Sequence, residues 1–172
     1  DDGESLGSAS PFNIVKQAIS LRDFTPAEVA SLYGQHTADT GQPFAEAAID
    51  RAFYWTHGQP WLVNALACEV VDSICPSESG AEVTAEMIDQ AAHTIVLRRD
   101  THIDSLLERL KEPRVRRVVE PIILGDEGDV KRLSDDYEFV RDLGLIREER
   151  GLVGPANPIY AEVIGRVLSY DS

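Results

Sequence analysis

Long hydrophobic runs are missing from this 172-residue, 19.0 kDa sequence. Its uninterrupted apolar stretches are only a few residues long, too short to cross a bilayer as a helix. Cysteine is scarce. Cys68 and Cys75 are the only two, seven positions apart in what reads as one helix. That separation is about 10 Å along the axis, too far for a disulfide, so two buried thiols in a reducing cytoplasm are expected. Met87 is the only methionine and the chain opens on Asp1, which reads as a piece excised or processed from a longer protein. No basic segment followed by an apolar stretch stands at the N-terminus, so no secretion signal is expected. Basic charge is scarce as well. Lys and Arg total 16 against 30 Asp and Glu, net −14. A field this negative repels phosphate backbones, and nucleic-acid binding would need a strong local patch.

The motifs of common enzymes are absent too. No phosphate-binding G-x-x-x-x-G-K-[ST] loop, dinucleotide fingerprint, nucleophile elbow or H-E-x-x-H zinc helix occurs. The histidines, His36, His57, His93 and His102, are scattered without metal-ligand spacing. Asp135 and Asp136 follow a candidate N-cap, where the helix dipole favours negative charge.

What remains is ordinary globular material, 43% apolar and 27% charged, with helical periodicity. Residues 1–10 are small, polar and acidic and read as a disordered leader. Residues 11–24 lack a helical period and read as extended. Thr25-Pro26-Ala27-Glu28 carries a capping box with proline in the first helical position. Val29, Leu32, Tyr33 and His36 then form one stripe, ended by Gly41. A second helix is expected from Phe44 to Thr56, capped by Gly58. A third opens at Pro60, with Leu62, Leu66, Val70 and Ile74 every fourth residue, and breaks at 76–80. A fourth follows Thr84. These make a helical unit over 11–97.

The second unit, 98–172, holds 13 of the basic residues. Its net charge is −3 against −11 for residues 1–97. Asp100 caps one expected helix, Pro113 starts another, and Ser134 caps a third. Leu145-Ile146 and Leu152-Val153 flank a polar turn and read as a β-hairpin. Asn157-Pro158 then introduces a last helix. Three helices and a terminal hairpin follow the winged-helix plan. The expected fold is mainly α: a lid-type helical bundle followed by a winged-helix module with a small hairpin.

Several segments, in this order and spacing, bear a family likeness. They are Ser10–Ile14, Leu21–Thr25, Gly58-Gln59-Pro60-Trp61-Leu62-Val63-Asn64-Ala65-Leu66, Arg98–Leu106, Leu143–Ile146 and Ala156–Tyr160. Together they resemble the C-terminal lid and winged-helix region of a prokaryotic AAA-like (P-loop) ATPase, from about residue 10 onward. The resemblance implies a non-catalytic regulatory region that senses nucleotide state and docks a partner or neighbouring subunit. ATP or ADP with Mg belongs to a preceding P-loop domain, itself the first partner. It also implies that Gly58, Gln59 and Pro60 lie against that nucleotide. No arginine follows them where some relatives carry one to sense the γ-phosphate, so charge sensing gives way to an apolar or stacking contact. The residues alone allow the plainer alternative, a helix cap followed by a helix start.

Two other functions are compatible with the pattern. A winged helix can read DNA, which here would engage Arg114, Arg116, Arg117, Lys131, Arg132, Arg147 and Arg150. Against this, the helix that would enter the groove carries Asp135, Asp136, Glu138 and Asp142 beside a single Arg141. Its hairpin tip adds Glu148 and Glu149, where bases and phosphates call for Arg, Lys, Asn or Gln. DNA binding is therefore disfavoured. The other alternative is a helical protein-interaction scaffold without a nucleotide.

Overall fold

A computed structural model describes residues 22–98, 101–126 and 134–170. The leader 1–10, the extended reading of 11–21, the Asp100 cap and the basic pair Lys131-Arg132 lie outside the described residues. The chain is mainly helical with one two-stranded antiparallel sheet, as the periodicity predicts. No helix among the described residues is long and apolar enough to cross a membrane.

Helix α1 (Pro26–Thr40) begins at the predicted capping box. The Glu28 N–H donates to Thr25 Oγ1 at 3.3 Å, and the Thr25 N–H donates to Glu28 Oε2 at 2.8 Å. Gly41, at φ 77°, closes the helix in the left-handed region that glycine enters without strain. Helix α2 (Glu46–Thr56) starts two residues later than expected. Phe44 instead forms a parallel β-bridge with Val83, with the Val83 N–H donating to Pro43 O at 2.9 Å and the Ala45 N–H to Val83 O at 3.0 Å. That pairing across almost forty residues has no local signature. The cap of α2 also differs from the expectation: His57, not Gly58, is the C-cap, at φ 46°.

Helix α3 (Pro60–Glu69) runs into a π-helical turn, Val70–Ile74. The four-residue spacing of its apolar positions persists across that change. The turn lets the Cys75 N–H reach Val70 O at 2.8 Å. It also brings the Cys75 carbonyl to Gln42, a fully buried side chain that ties the loop together. Gln42 Nε2 donates to the carbonyls of Cys75 (3.0 Å) and Ala81 (3.1 Å), and Oε1 meets His36 Nε2 at 3.0 Å. Cys75 is buried but Cys68 is exposed, so the expected pair of buried thiols is half right; both are free. A seven-residue step on a helix turns by about 700°, some 20° short of two full turns, and the intervening π turn shifts the face further.

Helix α4 (Ala85–Arg98) packs on α2 and α3, completing the first unit. Its last residue, Arg98, grips the nearly buried Glu69 through both guanidinium nitrogens, at 2.7 and 2.9 Å. In the second unit, α5 (Thr101–Leu110) and α6 (Pro113–Leu124) pack against one another. Helix α7 (Asp135–Asp142) is capped by Ser134, whose Oγ accepts the Tyr137 N–H at 3.2 Å. Strands β1 (Ile146–Glu149) and β2 (Leu152–Pro155) pair in the register Ile146↔Pro155. Their turn is tighter than the expected four residues. Only Arg150 and Gly151 form it, at φ 53° and 80°, the type I′ geometry that matches strand twist. Alternation sends Ile146 and Val153 inward. Helix α8 (Pro158–Tyr170) follows the buried Asn157, whose Oδ1 accepts the Tyr160 N–H at 2.9 Å.

The last helix packs on α5 and α6 of its own unit and also on α2 and α4 of the first. One continuous set of buried apolar side chains therefore runs from Val29 to Leu168.

Candidate functional site

The Gly58-Gln59-Pro60 connection is built by backbone geometry. Residues 57 and 58 both sit at positive φ, 46° and 82°, which turns the chain sharply between α2 and α3. The Phe24 N–H donates to Gly58 O at 2.7 Å. A Cβ on residue 58 would lie 2.0 Å from Phe24 O, so only glycine fits. The Gly58 N–H is held by the Thr56 hydroxyl at 3.1 Å. The turn thus needs its glycine for the close approach of the Phe24 backbone, whatever else comes near it.

A helix N-terminus can hold an anion through its free N–H groups, but little of that capacity is open at α3. Pro60 has no N–H. Gln59 Oε1 takes the Leu62 N–H at 2.6 Å, and Gln59 O takes the Val63 N–H at 3.0 Å. Only the Trp61 N–H of the first turn is left by these bonds. The residues present do not form a phosphate cradle. What the turn offers outward is the surface of Gln59 and Pro60 and the indole of Trp61, 37% exposed.

That indole leads to the second unit. Trp61 stacks on His102 of α5 with ring centroids 4.3 Å apart and planes 12° from parallel. His102 Nε2 lies 2.7 Å from the Tyr160 hydroxyl of α8. Burial, and secondarily the Asp23 charge, push the Tyr160 phenol up to about 12, so the hydroxyl keeps its proton beside His102. These three rings join the first turns of α3, α5 and α8.

Beside them lies a polar junction. His57 Nδ1 is 2.8 Å from Ala156 O and 2.5 Å from Arg147 Nη1. One ring nitrogen serves one of these at a time: protonated, it donates to the carbonyl; bare, it accepts from the guanidinium. Burial first, and then the Arg147 charge, lower the His57 pKa, against the opposite pulls of the Ala156 carbonyl and Asp23. The neutral imidazole is thus favoured, and its tautomer decides which of the two partners Nδ1 serves. Asp23 shares this junction; burial raises its carboxyl pKa while His57 and Arg147 pull it down. The turn, the ring stack and the junction wall a cleft of about 700 Å³, whose lining includes Gln59, Pro60, His102, Arg141, Arg147 and Tyr160.

Among the described residues, most of the arginines considered for DNA pair with carboxylates of the chain. Arg114 lies over the Phe139 ring at 3.6 Å, with Nε 3.4 Å from Asp136. Arg117 pairs with the same Asp136 at 3.1 Å, and Arg116 with Glu120 at 3.2 Å. Arg147 pairs with Glu149 and reaches His57. Asp135, Asp142, Glu148 and Glu149 are exposed on the elements that would enter a groove.

Of the residues the resemblance singles out, Gln59 and Pro60 line this cleft; His57, His102, Tyr160 and Asp23 carry no sequence signal. Their partners lie 34 and more residues away, and no spacing rule reaches that far. Among the described residues no group of three His, Cys, Asp or Glu is arranged to hold a metal ion. No family model matches the chain, and neither the curated proteins nor the solved structures contain a match to it.

Proposed function

We propose that this chain is the non-catalytic lid and winged-helix region of a prokaryotic AAA-like ATPase, working in the cytoplasm and passing nucleotide state to a partner or neighbouring subunit. The observation that carries the reading is the placement of Trp61. It directly follows the Gly58-Gln59-Pro60 turn and stacks on His102, which in turn meets Tyr160. A displacement of the turn is therefore felt by α5 and α8 through rigid side chains, without a flexible intermediary.

The satisfied N–H groups of α3 refine the role. The chain's own residues shape and close the edge of a nucleotide site; they do not bind its phosphates. Phosphate and Mg binding belong to the P-loop domain this reading requires. ATP turnover by the longer protein tests the idea. Trp61→Ala is expected to raise the KM for ATP several-fold with the fold intact. Unchanged KM and kcat would favour the scaffold reading. DNA binding has no comparable support, because Arg114, Arg116, Arg117 and Arg147 pair with carboxylates of the same chain.

A further inference from the structure

The nucleotide reading leaves the face formed by α2 and α4 without a role. Residues 22–97 carry eleven carboxylates and two arginines. Arg22 is held by Glu28 at 2.6 Å and Arg51 by Asp89 at 3.0 Å. This unit presents a negative field to its surroundings.

Within that field α2 and α4 enclose a hollow of about 670 Å³. Its floor is Trp55, almost fully buried. The Trp55 Nε1–H donates to Asp89 Oδ1 at 2.7 Å, and its ring meets His93 edge-on with centroids 5.6 Å apart. Its rim is Tyr54, 54% exposed, set edge-on to Trp55 at 5.6 Å. Asp50 stands one turn before Tyr54 on the same side of α2 and is exposed. Arg51 occupies Asp89, so Asp50 is the carboxylate left on the rim.

An open aromatic ring one helical turn from an exposed carboxylate suits a planar cation. A guanidinium stacks on the ring face and pairs with the carboxylate in one placement. We propose that the α2/α4 hollow docks an arginine-bearing basic segment of a partner protein, one guanidinium lying on Tyr54 and pairing with Asp50. An acidic segment is repelled by the eleven carboxylates, and an apolar one would strand Asp50 against a dry surface. The inference stands apart from nucleotide contact, since it involves neither the turn at 58–60 nor the cleft.

Titration of the whole chain with an acetylated, amidated peptide of alternating glycine and arginine, followed by tryptophan fluorescence at low salt, tests it. Trp55 lies under the site and reports occupancy in a Trp61→Phe background, which removes the second tryptophan. Saturable binding is expected. Tyr54→Ala weakens it about five-fold, Asp50→Asn about three-fold, and Tyr54→Phe restores near wild-type affinity because the ring remains. Asp39→Asn removes the same charge outside the hollow and changes affinity less than about two-fold. Equal losses for Asp39→Asn and Asp50→Asn would reduce the effect to net charge and overturn the proposal. So would saturable binding of the matching glycine–glutamate peptide. Self-association of the chain that Tyr54→Ala abolishes would assign the face to a second copy and overturn it too.

Discussion

The carbonyl oxygen of Phe24 lies 2.0 Å from the point where a Cβ on residue 58 would stand. That relation explains the glycine without a ligand. It also sets a cost. Gly58→Ala must give up the Phe24 N–H···O bond to Gly58, or shift the 22–24 segment, and holds a non-glycine residue at φ 82° as well. Strain in that region costs about 1–3 kcal/mol, and the backbone clash adds to it. Denaturant unfolding of Gly58→Ala is expected to show a loss of about 3 kcal/mol.

A similar loss is expected at Gln42, for a different reason. Its amide is fully buried and satisfies the Cys75 and Ala81 carbonyls at once. Gln42→Leu keeps the volume and removes both donors, leaving the buried Cys75 carbonyl without its amide partner and the Ala81 carbonyl with only the long Cys75 Sγ contact. About 2–3 kcal/mol of stability should disappear, read by the shift in denaturant midpoint at unchanged slope. Gln42→Glu, which keeps the shape but not the donors, should not rescue it.

Four groups illustrate the pH dependence of stability, beside the lowered Glu86 carboxyl and the raised Tyr33 phenol. His57 is held below its usual 6.5 in the folded chain, so the unfolded chain binds a proton first. Its contribution is complete above pH 6.5 and is lost as pH falls through the lower folded value. Glu28 is held at about 2 by Arg22 and by the Thr25 hydrogen bonds, so its contribution is present above 4.5 and is lost as pH falls toward 2. Asp23 works the other way. Its raised pKa favours the folded chain below 3.8, and that advantage is lost as pH rises through the folded value. Tyr160, at about 12, adds stability below pH 10 that is lost as pH rises through 12. A stability maximum between about pH 7 and 9 is expected. His57→Asn should flatten the acid-side slope just below 6.5 and leave the alkaline limb unchanged, as followed by chemical denaturation across pH.

Duplex DNA should not be retained. In a mobility-shift titration at about 50 mM salt, where phosphate contacts are strong, no shifted band is expected. The triple substitution Arg114→Ala, Arg116→Ala, Arg117→Ala should not alter that outcome. A shift that weakens steeply with salt and vanishes in the triple variant would restore the DNA reading.

What the sequence displays and what it conceals divide by distance along the chain. Thr25 and Glu28, Ser134 and Tyr137, and the apolar pairs of the hairpin lie within a few residues of one another, and local chemistry decides them. The turn at Arg150-Gly151 is legible once two consecutive positive-φ positions are required. Phe44 was misplaced because it carries the helical period but pairs with Val83, a contact bought with no local signal. Gly58 was read as a cap because glycine usually is one; His57 takes that place, and Gly58 answers to Phe24 instead. The cleft was half visible. Gln59 and Pro60 announce a helix start, whereas the Trp61–His102–Tyr160 stack exists only because α8 folds back onto α5 and the first unit.

The most direct measurement of the central claim is phosphate release from ATP, followed in parallel for this 172-residue chain and for the longer protein with a P-loop domain. Release is expected from the longer protein, with none above the buffer blank from the chain alone. Steady turnover of ATP by the isolated chain would contradict it.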